Sequence, residues 1–280
     1  MTISPFEAFA CPLDGSALRL NGTSWQCGDG HNFDIARQGY IHLLPVQNKR
    51  SKDPGDNKEM VAARHRFLTS GFYQPIAEAL SHAVFYEADN VSSLSCLDAG
   101  CGEGYYMRYL ANKAPETADL FLMGLDISKW AILSAAKQEK TPSWVVGSNA
   151  NLPILPETLD RVLCLFGFPV YHEFARVLRQ GGEIVQVDAG PDHLIELRRI
   201  IYPELKEARK SPNAVPNDFK TMGTSSVRYS LILPDKSAIA DLLAMTPHMY
   251  RASAEGLSRA AELESLTVTV EATINRFRKN

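Results

Sequence analysis

The sequence predicts an α/β fold: a mostly parallel, doubly wound sheet that finishes on a C-terminal antiparallel hairpin, with a small β region at the N-terminus. Three observations carry this expectation. The apolar run Leu94–Ala99 is short enough for a buried parallel strand, and it passes directly into Gly100, Gly102 and Gly104, where a strand must turn tightly into a helix. A second apolar run, Leu120–Asp126, ends in a carboxylate a little over twenty residues later, the separation at which a βαβ unit sets an acid beside a ribose. Strand and helix patterns then alternate to about Gly190, which implies parallel strands joined by right-handed crossovers.

Taken in order, residues 1–46 alternate short apolar pieces with turn-forming residues around Cys11, Asn21 and Cys27. They suit small hairpins with too little apolar mass for a core of their own. Residues 47–90 form the second unit. Its polar, breaker-rich stretch Gln47–Asn57 reads as a linker, and Met60, Val61, Phe67, Ile76, Leu80 and Val84 recur at helical spacing, giving two helices hinged around Gly71 and Pro75. Residues 91–280 make up the nucleotide-binding unit. Its third, fourth and fifth strands are expected at Trp144–Gly147, Arg161–Phe166 and Glu183–Asp188, with a helix Tyr171–Arg179 stopped by Gly181 and Gly182. Beyond Gly190 come a helix over His193–Arg209, a polar stretch to about Gly223, and the alternating segments Val227–Leu233 and Leu266–Ile274, which suit half-buried antiparallel strands.

With 45% hydrophobic and 22% charged residues, the 280-residue chain has the composition of a soluble globular protein. No basic stretch followed by an apolar core opens the sequence and no apolar run is long enough to span a bilayer, so a cytoplasmic protein without a membrane partner is expected. Cys96, Cys101 and Cys164 fall in or beside strands expected to be buried, where reduced cysteine behaves as a small hydrophobe. Cys11 and Cys27 need another explanation. The net charge of −3 gives no global basic field, so a nucleic-acid partner has to be held by local clusters.

The glycine loop narrows the chemistry. Its spacing is Gly-x-Gly-x-Gly, and Asp98 precedes it where methyltransferases keep an acid that orients the loop and a methionine amino group. Asp98, Gly100, Gly102, Gly104 and Asp126 therefore make a nucleotide-shaped pocket for S-adenosylmethionine on a class I methyltransferase Rossmann-like sheet. A nicotinamide enzyme and an ordinary glycine turn are the competing readings. Ser148 and Asn149, after the third strand, are candidates for the adenine edge, although turn formation accounts for them equally well.

Beyond the loop, the chain resembles a known family over nearly its whole length. The residues are Cys11-Pro-Leu, Cys27, His31, Phe33-Asp34, Gly39-Tyr40, Leu43-Leu44-Pro45-Val46-Gln47, Lys49-Arg50-Ser51 and Asp53-Pro54-Gly55-Asp56, then Phe72-Tyr73-Gln74-Pro75, Asp98 to Tyr106, Gly190-Pro191, His193-Leu194 and Met245-Thr246-Pro247. This pattern is similar to the RlmA-type large-subunit ribosomal RNA guanine-N1 methyltransferases. The resemblance implies methyl transfer to the N1 atom of a guanine in a ribosomal RNA hairpin, by a homodimer that forms an RNA cleft. It adds Tyr73, Gly102, Glu103 and His193 as cofactor contacts. It also implies a zinc knuckle of Cys-x-x-Cys paired with Cys-x-x-x-His, in which Asp14 here stands for one cysteine. The ligand set becomes Cys11, Asp14, Cys27 and His31, a mixed set that binds zinc more weakly than one with another thiolate. The alternative is a knuckle held by packing of Leu13, Trp25 and Phe33.

Guanine N1 lies on the Watson–Crick edge, so the base must be unpaired and stacked on an aromatic ring; Phe166 and Phe168, after strand four, are the candidate platforms. Asp188, His172 and Glu173 are candidate acceptors for the N1 proton. The stretch Phe166–Glu173 departs from the family's aromatic-Ala-Pro pattern, which leaves a small-molecule methyltransferase and a catalytically idle RNA-binding protein as alternatives. Lys49, Arg50, Lys52, Arg64 and Arg66 are expected to grip phosphates. Arg198, Arg199, Lys206, Arg209 and Lys210 form a second basic strip, for which ordinary helix-surface charge is the other reading.

Overall fold

A computed structural model of the chain describes residues 2–45, 47, 51, 53–86, 92–115, 119–205 and 216–280. Its N-terminal part contributes β1 (Ile3–Pro5), β2 (Arg19–Asn21), β3 (Ser24–Gln26), β4 (Asn32–Asp34) and β5 (Tyr40–His42). Strands β2, β3 and β4 pair as a small antiparallel sheet, as the hairpin signals predict. Two helices follow, α1 (Lys58–Thr69) and α2 (Gln74–Phe85), with the Asn57 side chain accepting the Glu59 and Met60 amides at the start of the first.

The nucleotide-binding unit then runs β6 (Ser93–Ala99), α3 (Tyr105–Lys113), β7 (Asp119–Asp126), α4 (Lys129–Gln138), β8 (Ser143–Val146), β9 (Leu159–Leu165), α5 (Tyr171–Val177), β10 (Leu178–Ala189), α6 (Ile195–Ile201), β11 (Phe219–Leu233), α7 (Lys236–Ala244), α8 (His248–Arg251), α9 (Ala254–Ala261) and β12 (Leu266–Lys279). The large sheet has the order β11-β12-β10-β9-β6-β7-β8-β5, with β1 paired to β7. Strands β6 to β10 are mutually parallel, and β12 and β11 add antiparallel at one end. The expected α/β class and antiparallel finish are both present. Among the described residues no helix is long and apolar enough to cross a membrane.

Several boundaries differ from expectation for identifiable reasons. Helix α5 stops at Val177 and not at Arg179, because Leu178 already pairs with Leu159 in the sheet. Helix α6 ends at Ile201, and the rest of the helix expected to Arg209 passes out of the described residues after Leu205. Strand β11 begins at Phe219, inside the stretch read as polar loop, because it pairs with β12 along its length. The antiparallel pair is joined through α7, α8 and α9, and α7 packs on α1.

The two faces of the sheet are covered differently. Helices α2, α3, α4, α6 and α7 bury one face. On the other face the crossover from β8 to β9, residues 147–158, contains no helix. The N-terminal region fills that position: Phe6, Phe9, Cys11, Leu18, Trp25, Ile41 and Leu43 share one apolar cluster with Leu97, Met123, Val145, Leu152 and Ile154. Phe9 meets Trp25 edge-on at 4.8 Å between ring centroids. Main-chain bonds from Ala10 to Pro153 (3.0 Å) and from Leu155 to Ala8 (3.0 Å) fasten the region to the crossover. Strand β5 extends the sheet beside β8, and β1 occupies the part of the β7 edge that the short β8 leaves open.

Candidate functional site

Strands β6 and β7 end side by side, and the loop after β6 is shaped by its glycines. Gly100, Gly102 and Gly104 have φ of 101°, 56° and 83°, left-handed values that a side chain disfavours. The Gly100 and Cys101 amides donate to the Leu125 carbonyl at 2.8 and 3.0 Å, which ties the loop to the end of β7. Asp126 accepts from the Gly102 amide at 2.9 Å and from the Ser128 amide at 2.8 Å. Its carboxyl is raised above the usual range by burial, opposed by those two amides.

Asp98, beneath the loop, is almost wholly buried and neither carboxylate oxygen has a partner. Burial first, and then the charge of Asp126, pushes its carboxyl up to about 8. Asn149 donates to the Ala99 carbonyl at 3.2 Å, while its own side-chain oxygen is buried without a donor. Ser148 accepts the Ala150 amide at 3.2 Å and thus stabilises the turn. Glu103 is fully buried; one oxygen takes Arg108 at 2.8 Å, Gln138 at 2.7 Å and His65 at 3.2 Å, and the other has no partner. Asp98, Glu103 and Asn149 account for every buried side-chain oxygen or nitrogen without a partner among the described residues.

Tyr73, His193 and Phe166 form a second neighbourhood. The His193 Nδ1 accepts the Glu271 amide at 3.2 Å, so the neutral ring carries its hydrogen on Nε2 and donates it to the Tyr73 hydroxyl at 3.2 Å. Burial lowers His193 to about 4, which keeps that ring neutral. Phe166 stacks on His193 with ring centroids 5.9 Å apart and lies 6.3 Å from Tyr73. Its φ of 52° is left-handed, and its amide donates to the Val187 carbonyl at 2.8 Å. Phe168, two residues on, is 86% exposed. The phenol of buried Tyr106 is raised, by burial first and then by neighbouring groups that include Tyr73 and Asp98.

Asp188, at the end of β10, accepts the Gln186 side-chain amide at 2.7 Å, and Tyr171 in turn donates to Gln186 at 2.9 Å. Burial raises the Asp188 carboxyl. Glu173 is otherwise engaged, accepting the Leu152 amide at 2.6 Å and Arg176 at 2.7 Å. His172 is exposed on α5.

The metal candidates converge. Ligand atoms of Cys11, Asp14, Cys27 and His31 all lie within 4.8 Å of one another. His31 Nδ1 is 2.8 Å from Asp14, 3.3 Å from the Cys27 sulfur and 3.5 Å from the Cys11 sulfur. Two sulfurs, one nitrogen and one carboxylate oxygen facing a common centre fit a tetrahedral zinc ion. Trp25 is buried and Phe33 partly so, while Leu13 is 49% exposed, so packing through Leu13 contributes little.

Of the phosphate-gripping candidates, Lys49, Arg50 and Lys52 lie outside the described residues, as do Lys206, Arg209 and Lys210. The other two on α1 are already paired. Arg66 holds Asp241 of α7 in a two-point ion pair, and Arg64 pairs with Asp56 and donates to the Met245 carbonyl at 3.2 Å. Arg198 donates to the Pro191 carbonyl at 2.8 Å, and Arg199 is exposed. Asp56 beside the glycine loop and Gln186 beneath Asp188 were not anticipated as site residues, and Arg64, expected to grip phosphate, stands instead beside that loop. Helical spacing showed a cation at position 64 but not which carboxylate it would meet.

The zinc-ribbon profile of the RlmA N-terminal family matches residues 9–52, and a methyltransferase-domain profile matches residues 96–182. The chain is 32% identical to YxjB of Bacillus subtilis (strain 168), which bears a 23S rRNA (guanine-N(1)-)-methyltransferase name, over 96% of both chains. It is 32% identical to the 23S rRNA (guanine(748)-N(1))-methyltransferase of Streptomyces fradiae over 95% of each. A similarly named protein of Micromonospora griseorubida is 30% identical over 96% of each.

Proposed function

Because the chain belongs to the RlmA family of 23S rRNA guanine-N1 methyltransferases, we propose that it transfers the methyl group of S-adenosylmethionine to N1 of a guanine in a hairpin of 23S ribosomal RNA. The observation that carries the reading is the set of partnerless buried oxygens around the glycine loop. Buried polar groups are almost always paired, so a group of exceptions marks the outline of a polar ligand. Asp98 suits the ammonium of a methionine, Asp126 the ribose hydroxyls, and the Asn149 oxygen the amino group of adenine. The glycines let the chain approach that ligand closely. When bound, S-adenosylmethionine supplies an electrophilic methyl group on a sulfonium.

What the protein adds is mainly alignment. In this reading Phe166 and exposed Phe168 receive the face of the unpaired guanine, and the neutral His193–Tyr73 pair forms the wall between base and cofactor. Transfer would exchange the methyl group's bond to sulfur, left as a neutral thioether, for a bond to N1, and the N1 proton would pass to Asp188, which Gln186 orients. Glu173 is held by Arg176 and Leu152 and is not assigned this role. Since burial raises the Asp188 carboxyl, activity is expected to fall on the acid side at a higher pH than an ordinary aspartate would impose. The homodimer implied by the resemblance remains part of the proposal, and the mass of the protein in solution by light scattering checks it.

The central test is incubation with S-adenosylmethionine and unmodified 23S ribosomal RNA, followed by reverse transcription. Methyl on guanine N1 blocks pairing, so a new stop at a hairpin guanine is expected. Asp188→Asn should slow its appearance about 100-fold, the scale of general base catalysis, with cofactor affinity unchanged. Cofactor binding without any stop would exclude this acceptor and point to the divergent Phe166–Glu173 loop as the place where a different one is read.

A further inference from the structure

Three of the four polar features of S-adenosylmethionine have counterparts in the pocket as read above. The ammonium has Asp98, the ribose Asp126 and the adenine edge Asn149, but the methionine carboxylate has none. It would enter a region that already holds the carboxyls of Asp98, Asp126, Glu103 and Asp56, so its binding requires a cation. Among the described residues, two guanidinium groups lie against the glycine loop. Arg108 is committed, donating to the Glu103 carbonyl at 2.6 Å and to the buried Glu103 carboxylate at 2.8 Å. Withdrawing it would leave an uncompensated charge in the interior.

Arg64 is differently placed. It reaches down from α1 onto the loop, and a Cβ on Gly102 would sit 3.4 Å from its Cδ and Nη1. Besides the Met245 carbonyl, which takes its Nη2, its present partner is Asp56; the acid is about a quarter exposed, as is Arg64 itself, so the ion pair stands where water can take over either group. Asp56 is positioned by its neighbours independently of the arginine. Its carbonyl accepts the Ser128 hydroxyl at 2.6 Å, and Gly55, with φ of 80°, lies so close to Ile127 and Ser128 that a Cβ would meet both at 2.9 Å. The guanidinium can therefore change partners without moving the segment that holds the acid.

We propose that Arg64 binds the terminal carboxylate of the cofactor's methionine, exchanging its pairing with Asp56 for it. A planar guanidinium presents two parallel N–H groups to a carboxylate, which fixes the ligand's orientation as well as its charge. Residues 53–56 then serve as a resting counter-ion for the arginine. The inference rests on reading the pocket as an S-adenosylmethionine site.

The test uses a ligand that lacks only the group in question. Calorimetric titration compares S-adenosylmethionine with its decarboxylated analogue, on the wild-type protein, Arg64→Gln and Arg64→Lys, without RNA. The wild type should prefer the intact cofactor by about 10- to 100-fold, the value of a charge-assisted contact. Arg64→Gln should lose that preference while binding the analogue as the wild type does. Arg64→Lys should keep part of it, which preserves the comparison if the glutamine variant folds poorly. Equal weakening of both ligands in the variants would give Arg64 a merely structural role and overturn the inference. A wild type that binds neither ligand would overturn the cofactor reading on which it rests.

Discussion

Asp98 is the residue whose chemistry depends most on what enters the pocket. Its carboxyl is raised to about 8, so at neutral pH the empty protein holds a proton there that the unfolded chain has already released. Stability of the empty protein is therefore expected to decline as pH rises from the ordinary carboxylate range toward 8. An ammonium beside Asp98 reverses the preference and expels the proton. Binding of S-adenosylmethionine should tighten with rising pH over that window and release close to one proton, measured by calorimetry in buffers of different ionisation enthalpy. A pH-independent affinity would show that Asp98 is ionised before the ligand arrives. Asp98, the three glycines and Asp126 were legible in the sequence because local spacing fixes their geometry. Glu103 was reached only through the family resemblance and Arg64 only as a phosphate contact, since their partners Arg108, Gln138, His65 and Asp56 are selected by the packing of separate helices and loops.

At the scale of elements, the strands that were easiest to foresee are those buried on both faces. Their apolar runs leave little choice. Gly124 illustrates the tightness of that packing: a Cβ there would lie 2.3 Å from the Trp144 ring, which is itself anchored by a 2.9 Å bond to the Glu139 carbonyl. Gly124→Ala should destabilise the protein by about 1–3 kcal/mol, the usual cost of overpacking, as read from denaturant midpoints; an unchanged midpoint would mean that the indole has room to shift. Strand β11 gave no such signal. Its residues Lys220–Ser226 are exposed on both faces, so no alternation marks them, and only their register with β12 makes them a strand. Helices α7 to α9, between the two antiparallel strands, were not assigned from the sequence.

For the molecule as a whole, the chief departure from expectation is that the zinc ribbon is also a wall of the catalytic sheet. Cys11 and Cys27, two of the four candidate metal ligands, lie in the same apolar cluster as Leu97 and Val145. Metal bound there supports both. Removing zinc with a chelator should therefore lower a single melting transition of the entire protein, by ~2–4 °C for each kcal/mol of binding lost, with recovery on adding zinc back. A separate low-temperature transition, with the main one unmoved, would assign the metal to the ribbon alone. The hairpins were visible in the sequence, but their destination was not, because it is set by a helix missing from the crossover after β8.

That missing helix also bears on the order in which the chain can fold as it is synthesised. The ribbon leaves the ribosome first, yet Tyr40 pairs with Trp144, and Phe9 closes on Ile154. Until those later residues emerge, the aromatic side of the ribbon has nothing to bury itself against. Such long-range closure is slow and keeps apolar surface exposed in the nascent chain. A length of chain ending before β8 would be left with an uncovered ribbon, and a chain beginning after β5 with an uncovered sheet. The two regions matched by separate sequence profiles, residues 9–52 and 96–182, are thus expected to gain their stability together.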